Sequence, residues 1–510
     1  MSSGTRGETS GSASRGEISG SASPGEISET IPDADILASR EAGGRFLRGS
    51  GLRVIAYGSG LLVGLASTPL VTRHLGPTDW GHYVTVTSVI FIAAALTEGG
   101  VGNLGVREFS TSDESERRSF MSSLLGLRIA LSLLGAAGAF AFVLLAGYPR
   151  VLVEGTALAC VALMLEGLRV TLTIPLTARL RLGWLALSDF TGQFVTSVCM
   201  ILLVVSGASL LPFYSVMIVV ALVTLTLMTV LVRGEISLRP AFSPSRWRSL
   251  ASDTVVYAAA TTLGVIYFQI VVVAMSLLAD KLQTGYFALS FRVLSLVNGI
   301  PWLLVVSAFP ILARAARDDH ERLRYALQRL FDGALVVGGF FSLCVIVGAP
   351  FAIAVVGGPK YHPSIAVLQI LGVGVIGSFL VAIWSFALLS LRLFRELIIV
   401  NGITVLAAVA LSLLLIPSHH ADGGAVVTAT LEIALALTYA VVLSRRRPEL
   451  RPSLRGVPRV ALALAAAFAV AEALPVGSAL AVIAGALVLL AGLLALRALP
   501  EEFLQALRRR

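Results

Sequence analysis

Charge is what this chain has least of. Asp, Glu, Lys and Arg make up 14% of its 510 residues, against 56% hydrophobic residues and a mean hydropathy of +0.87. That balance excludes a soluble globular protein. Cysteine is nearly as scarce: Cys160, Cys199 and Cys344 stand singly in apolar stretches, without CxxC spacing or a credible disulfide partner. No GxxxxGK[ST] loop is present, which excludes nucleotide hydrolysis by that route. His419 and His420 are adjacent, a poor spacing for a metal site, so neither metal nor cofactor is expected. Every outward loop between the apolar runs is short, which argues against a multispanning polymerase, ligase or glycosyltransferase and against an enzyme in general. The net charge of +9 raises nucleic acid as a partner, but the arginines sit in short loops at alternate helix ends, and no nucleic acid is expected.

What is present is a series of apolar runs of about 20 residues, the length that crosses a hydrocarbon core at 1.5 Å per residue. The expected spans are 54–72, 82–104, 120–146, 151–174, 185–206 and 212–232, then 253–279, 284–312, 331–356, 364–390, 397–416 and 425–443. A basic connection, RGEISLRPAFSPSRWRSL, separates these two sets, and a final pair, 459–474 and 478–496, follows the linker SRRRPELRPSLRG. Residues 1–45 are of different composition. GSASRGEIS at 11–19 is followed at once by GSASPGEIS at 20–28, with too little apolar surface to offset the entropy of ordering. This segment is expected to be a disordered cytoplasmic tail, and it lacks the basic start and apolar core of a signal peptide.

Loop charges orient the spans. Alternate loops carry nearly all the Lys and Arg, whereas the opposite set carries only Arg73, Arg150, Lys281 and Lys360. By the positive-inside rule both termini are expected in the cytoplasm. DKLQTGYFALSFRV enters span 8 as LGPTDWGHYVTVTSV enters span 2, which suggests a parallel duplication of six spans.

Polar residues inside apolar spans are the candidate site. Arg128, Arg169 and Arg292 lie in spans 3, 4 and 8, and each costs about 2.5–3.5 kcal/mol at a lipid-facing central position, so each is expected to face protein or water. Glu166 precedes Arg169 by three residues on the same helix face, where the two can pair. Ser295 and Gly299 continue the face of Arg292, with Asn298 beside it and a kink expected at Pro301. An arginine in a wet cavity suits a diphosphate, because its planar fork donates two hydrogen bonds to phosphate oxygens; the alternative is a structural arginine bonded to helix carbonyls. Glu98, Glu166 and Glu432 are carboxylates in or at the ends of spans, able to couple an ion or to cap and pair locally.

Four stretches carry a resemblance. RHLGPTDWGHY (73–83) and TEGGVGNLGVRE (97–108) resemble the first hairpin of the polysaccharide flippases of the multidrug/oligosaccharidyl-lipid/polysaccharide exporter superfamily. VVGGPKYHPSIAVLQILGVG and LLLIPSHHADGGAVVTATLE resemble later segments of the same family, except that His419-His420-Ala421-Asp422 stands where a tyrosine-glycine loop is usual. The resemblance covers about residues 46–444. The apolar runs point to an all-α integral membrane protein with about fourteen transmembrane helices; the resemblance implies two six-helix lobes around a central cavity, with the C-terminal helix pair outside them. The expected division is a tail at 1–45, lobes at 46–250 and 251–444, and a linker, helix pair and cytoplasmic tail at 445–510.

The resemblance further implies a cationic cavity for a polyprenyl-diphosphate-linked glycan, with Arg128, Arg292, Ser295, Asn298 and Arg169 as candidate contacts. The expected partners are that lipid-linked oligosaccharide, the bilayer, and the polysaccharide polymerase or glycosyltransferases of the same pathway. The expected activity is flipping of the lipid-linked oligosaccharide by alternating access. A cation-coupled multidrug exporter of the same superfamily is the alternative, and a lipid II flippase is a variant of the first reading. Arginine-rich, alanine-rich composition points to a GC-rich bacterial genome, and the resemblance implies the bacterial cytoplasmic (inner) membrane.

Overall fold

The computed structural model describes residues 40–98, 100–318 and 320–496. Most of the tail expected at 1–45 and the last part of the C-terminal tail lie outside the described residues. The helical start is earlier than expected, at Arg40, because Arg, Glu and Ala at 40–42 are good helix formers that extend the first span backwards.

Backbone groups in hydrocarbon must be satisfied within their own segment, and the chain meets this with helices throughout. In order these are α1 (Arg40–Glu98), α2 (Val101–Thr111), α3 (Glu114–Leu145), α4 (Arg150–Leu172), α5 (Ile174–Ala178), α6 (Leu182–Val205) and α7 (Leu210–Val232). They continue as α8 (Pro244–Leu278), α9 (Lys281–Asp318), α10 (His320–Val356), α11 (Ser364–Ser390), α12 (Phe394–Arg446), α13 (Val457–Ala473) and α14 (Ser478–Ala495). The only departure toward strand among the described residues is an isolated bridge between Arg233 and Ile236.

Eleven helical segments among the described residues are long and apolar enough to cross a membrane. Fourteen apolar runs were expected; two pairs of them share a single helix each, and span 8, on α9, is not among the eleven. Spans 1 and 2 both lie on α1, which breaks at Gly76 (φ 71°), and spans 11 and 12 both lie on α12, which breaks at His420 (φ 51°). At 53 residues α12 would run about 80 Å if straight, over twice the hydrocarbon thickness, so the break at His420 is what folds it into two crossing arms. Glycine takes such a φ freely, whereas a side chain there strains the backbone. His420 is therefore a strained elbow, at the position where the resembled loop has glycine.

Burial is inverted relative to a water-soluble protein. Leu145, Leu134 and Leu406 are 89%, 69% and 71% exposed, and these apolar surfaces match a hydrocarbon surround. Interior packing falls into three clusters. One joins α1, α3, α4 and α7 through Val86, Ala136, Ala159 and Tyr214; another joins α2, α3, α5, α6 and α7 through Phe109, Leu124, Ile174, Leu185 and Met228. The largest fills the space among α8 to α12 and takes in α13 and α14 through Val460 and Leu489. Val71 and Trp80, on either side of the α1 elbow, are buried in that last cluster, so the elbow is seated on the carboxy-terminal helices.

Candidate functional site

Arg292 sits 11 residues into α9, on the face that turns toward α1 and α10. Its side chain is exposed into a cavity of about 280 Å³, whose other walls are apolar apart from Thr68: Val293, Leu296, Ile300, Ala352 and Val356 are among them. No hydrogen bond or ion pair holds the Arg292 guanidinium among the described residues. Tyr83 of α1 lies within electrostatic reach of it. Among the described residues the site thus presents an unpaired planar cation directly beside a hydrocarbon-like wall. Ser295 is half-buried and gives its hydroxyl to the Phe291 carbonyl at 2.8 Å, while the Asn298 Oδ1 is buried and accepts no hydrogen bond from the described residues. α9 continues as helix through Pro301.

The other two arginines are placed differently, each with donors engaged by neighbouring protein groups. Arg128 is 5% exposed and spends its donors on backbone: Nε to the Gly167 carbonyl at 3.1 Å and Nη1 to the Thr97 carbonyl at 2.9 Å. Thr97 lies in the last turn of α1, where carbonyls lack intrahelical donors, so Arg128 caps that helix from α3 while tying it to α4. Arg169 is held by Glu166 in a two-point pair, Nε to Oε2 at 2.8 Å and Nη2 to Oε1 at 2.6 Å, with Asp189 3.8 Å away. Its fork is thereby filled. A position inside a span does not distinguish an arginine that faces a cavity from one that clamps helices.

The three acids separate as well. Glu98 is exposed at the end of α1, and Glu166 is committed to Arg169. Glu432 of α12 is 2% exposed and accepts a hydrogen bond from the Tyr267 hydroxyl of α8 at 2.8 Å. Nearby, Asn401 donates to the Ala260 carbonyl at 3.0 Å and accepts from the Tyr439 hydroxyl. These polar groups join α8 to both arms of α12. Sequence reading missed Tyr267, Tyr439 and Asn401; the available signal was a tyrosine hydroxyl or amide inside an apolar span, which needs a partner when buried.

A second cavity, of about 640 Å³, lies among α1, α3, α8 and α12. Thr97 and Ser412 are its polar residues, and Leu134, Phe142, Ile270 and Leu277 are typical of the rest. It offers nothing that would orient a polar head group. Among the described residues no three His, Cys, Asp or Glu side chains come together as a metal site.

Residues 70–366 match the family described as polysaccharide biosynthesis protein. The chain belongs to that family. Solved structures share its fold at low identity. A lipid II flippase MurJ in an inward closed conformation is 15% identical, with a TM-score of 0.69 over 86% of this chain and 97% of that one. An inward-facing multidrug resistance MATE transporter of the MOP superfamily is 12% identical, with a TM-score of 0.65 over 79% and 98%. A MOP superfamily transporter from Pyrococcus furiosus, whose binding pocket is described as of reverse polarity, is 14% identical, with a TM-score of 0.60 over 83% and 100%. No curated protein matches the sequence. The polysaccharide biosynthesis protein thus has the fold of MurJ and the MATE transporters, with eleven described helices long and apolar enough to cross a membrane, and among the described residues Arg292 of α9 is the one of the three arginines without a hydrogen-bond or ion-pair partner.

Proposed function

We propose that this chain is a flippase for a polyprenyl-diphosphate-linked oligosaccharide, acting in the bacterial cytoplasmic membrane with both termini in the cytoplasm. One observation carries the reading: the Arg292 guanidinium, without a hydrogen-bond or ion-pair partner among the described residues, in a cavity whose other described walls are nearly all apolar. A diphosphate attached to a prenyl chain is an anion joined directly to hydrocarbon, which is the chemistry those two surfaces complement. An organic cation would be repelled by the same side chain, which weighs against multidrug export. A lipid II flippase of the same fold supports a lipid-linked diphosphate as the cargo class. The distribution of basic residues among loops supports the orientation.

In this reading two lobes, divided near residue 250, rock about a central cavity. The glycan and diphosphate cross within it while the prenyl chain stays in lipid. Ser295 and Asn298, one and two turns along α9 from Arg292, are further polar contacts for the head group. The chain performs no covalent chemistry, and the pathway's glycosyltransferases and polymerase are its functional neighbours. Glu432 is proposed as a site of ion coupling.

The test is transport of the lipid-linked glycan by Arg292→Ala and Arg292→Lys in cells depleted of the wild-type chain. Alanine should abolish surface polymer and leave the glycan lipid in the inner leaflet; lysine, which keeps the charge but loses the fork, should restore only part. Full transport by a well-inserted alanine variant would sink the diphosphate assignment.

A further inference from the structure

A helix that ends at residue Val356 leaves the carbonyls of residues 353–356 without intrahelical donors. In α10 the local chain satisfies one of them: the Ile353 carbonyl receives the N–H groups of Gly357 and Gly358, at 2.8 and 3.0 Å. The other three are satisfied by α1. Arg73 Nη2 donates to the Ala354 and Val355 carbonyls at 2.8 and 2.7 Å, and the Thr72 hydroxyl donates to the Val356 carbonyl at 2.5 Å. A return bond runs from the Tyr361 hydroxyl to the Thr72 carbonyl at 3.2 Å. Tyr361 is fully buried, and burial pushes its hydroxyl well above the ordinary phenol range, which keeps it a donor. The arginine also faces the negative end of the α10 dipole.

The same joint is closed a second way. Gly81 of α1 and Gly285 of α9 meet backbone to backbone: a Cβ on Gly81 would stand 2.9 Å from the Gly285 nitrogen, and one on Gly285 would collide with the Pro77 carbonyl. Trp80, 4% exposed, is buried in the cluster of the carboxy-terminal helices. Arg73 is one of the few basic residues on the sparsely charged side of the topology, so its retention there is accounted for by α10 and not by the charge pattern.

We propose that the joint between the α1 elbow and the carboxyl end of α10 is a latch. Thr72 and Arg73 complete the end of α10 while this face of the transporter is shut, and they withdraw from it when the face opens. The balance between shut and open states then depends on the donors that α1 lends to α10, whatever cargo is carried. This goes beyond the substrate assignment and shares with the Arg292 cavity only Val356, through its backbone carbonyl.

The test uses the full chain in membrane vesicles of each orientation, with Cys160, Cys199 and Cys344 replaced by Ala and Val71→Cys, 4% exposed in the shut joint, as the reporter. Labelling by a membrane-impermeant maleimide is followed without substrate. Arg73→Gln should raise the labelling rate about tenfold or more from the outward side, and Arg73→Lys by less, because the charge remains while the two-carbonyl reach is lost. Gly285→Ala, which removes no hydrogen bond but wedges the joint, should raise it too. Unchanged labelling in both Arg73→Gln and Gly285→Ala overturns the latch. Such a result leaves the Arg292 assignment untouched, because that is read by transport. Labelling that rises equally from both sides marks unfolding, and it also overturns the latch if Gly285→Ala behaves the same way.

Discussion

Arg128 offers the sharpest test of how the arginines divide. Its guanidinium is buried and makes two charge-assisted hydrogen bonds to backbone, to Gly167 on α4 and Thr97 at the end of α1. Bonds of this kind contribute about 1.5–3 kcal/mol each. Gly167 keeps a second donor, the Thr171 hydroxyl at 3.0 Å, so the loss in Arg128→Ala falls mainly on the Thr97 carbonyl. The expected destabilisation is about 2–4 kcal/mol, enough to lower the thermal midpoint by several degrees. Arg128→Lys should recover less than half, since one ammonium cannot span both carbonyls. Arg128→Met, which fills the volume without a buried donor, should lie between them. Detergent-solubilised protein followed by thermal unfolding gives the stability, and transport is measured on the same variants. Loss of transport at unchanged stability would refute the clamp and return Arg128 to the cavity.

Other outcomes follow from the remaining polar sites. His420→Gly relieves a backbone held at φ 51° and should stabilise the protein by about 1 kcal/mol without altering transport, as read by thermal unfolding. Tyr439→Phe leaves the Asn401 carbonyl oxygen without its donor in a buried setting and should cost about 1–3 kcal/mol. Glu432→Gln keeps an acceptor for the Tyr267 hydroxyl and should leave stability within about 1 kcal/mol of wild type. A loss of gradient-driven transport in that variant supports ion coupling at Glu432, and full transport would dismiss it.

Much of the fold was legible because the membrane imposes a coarse rule. A run of about 20 apolar residues has few alternatives to a crossing helix, and polar breaks such as Gly76-Pro77 mark the turns. The elbows were legible in part. Gly76 announced itself, whereas the bend at His420 was readable only through the loop it replaces, since histidine carries no intrinsic signal for positive φ. The site was legible least. Arg128, Arg169 and Arg292 look alike in sequence: each is an arginine among leucines. What separates them is the surroundings: a pair of carbonyls on two other helices, an acid one turn away, and an open cavity. Only the acid was local enough to be seen from spacing. Arg73 was passed over for the opposite reason, because a basic residue at a helix end near an aqueous turn looks ordinary until its partners, some 280 residues away, are known.

The complete pairing of the α10 end has an electrical meaning. Carbonyls that protein donors have taken need no water, and protons travel through proteins along chains of water. In the proposed latch the buried Thr72 and Tyr361 half of the joint, inside the exposed Arg73 rim, would be an insulator as well as a mechanical stop. Across an energised membrane each elementary charge is worth about 2.3 kcal/mol per 100 mV, and a wet seam through a membrane protein would discharge that potential continuously. Loosening Arg73 and Thr72 would then harm the cell in a second way, as a leak of current that persists when no cargo is bound.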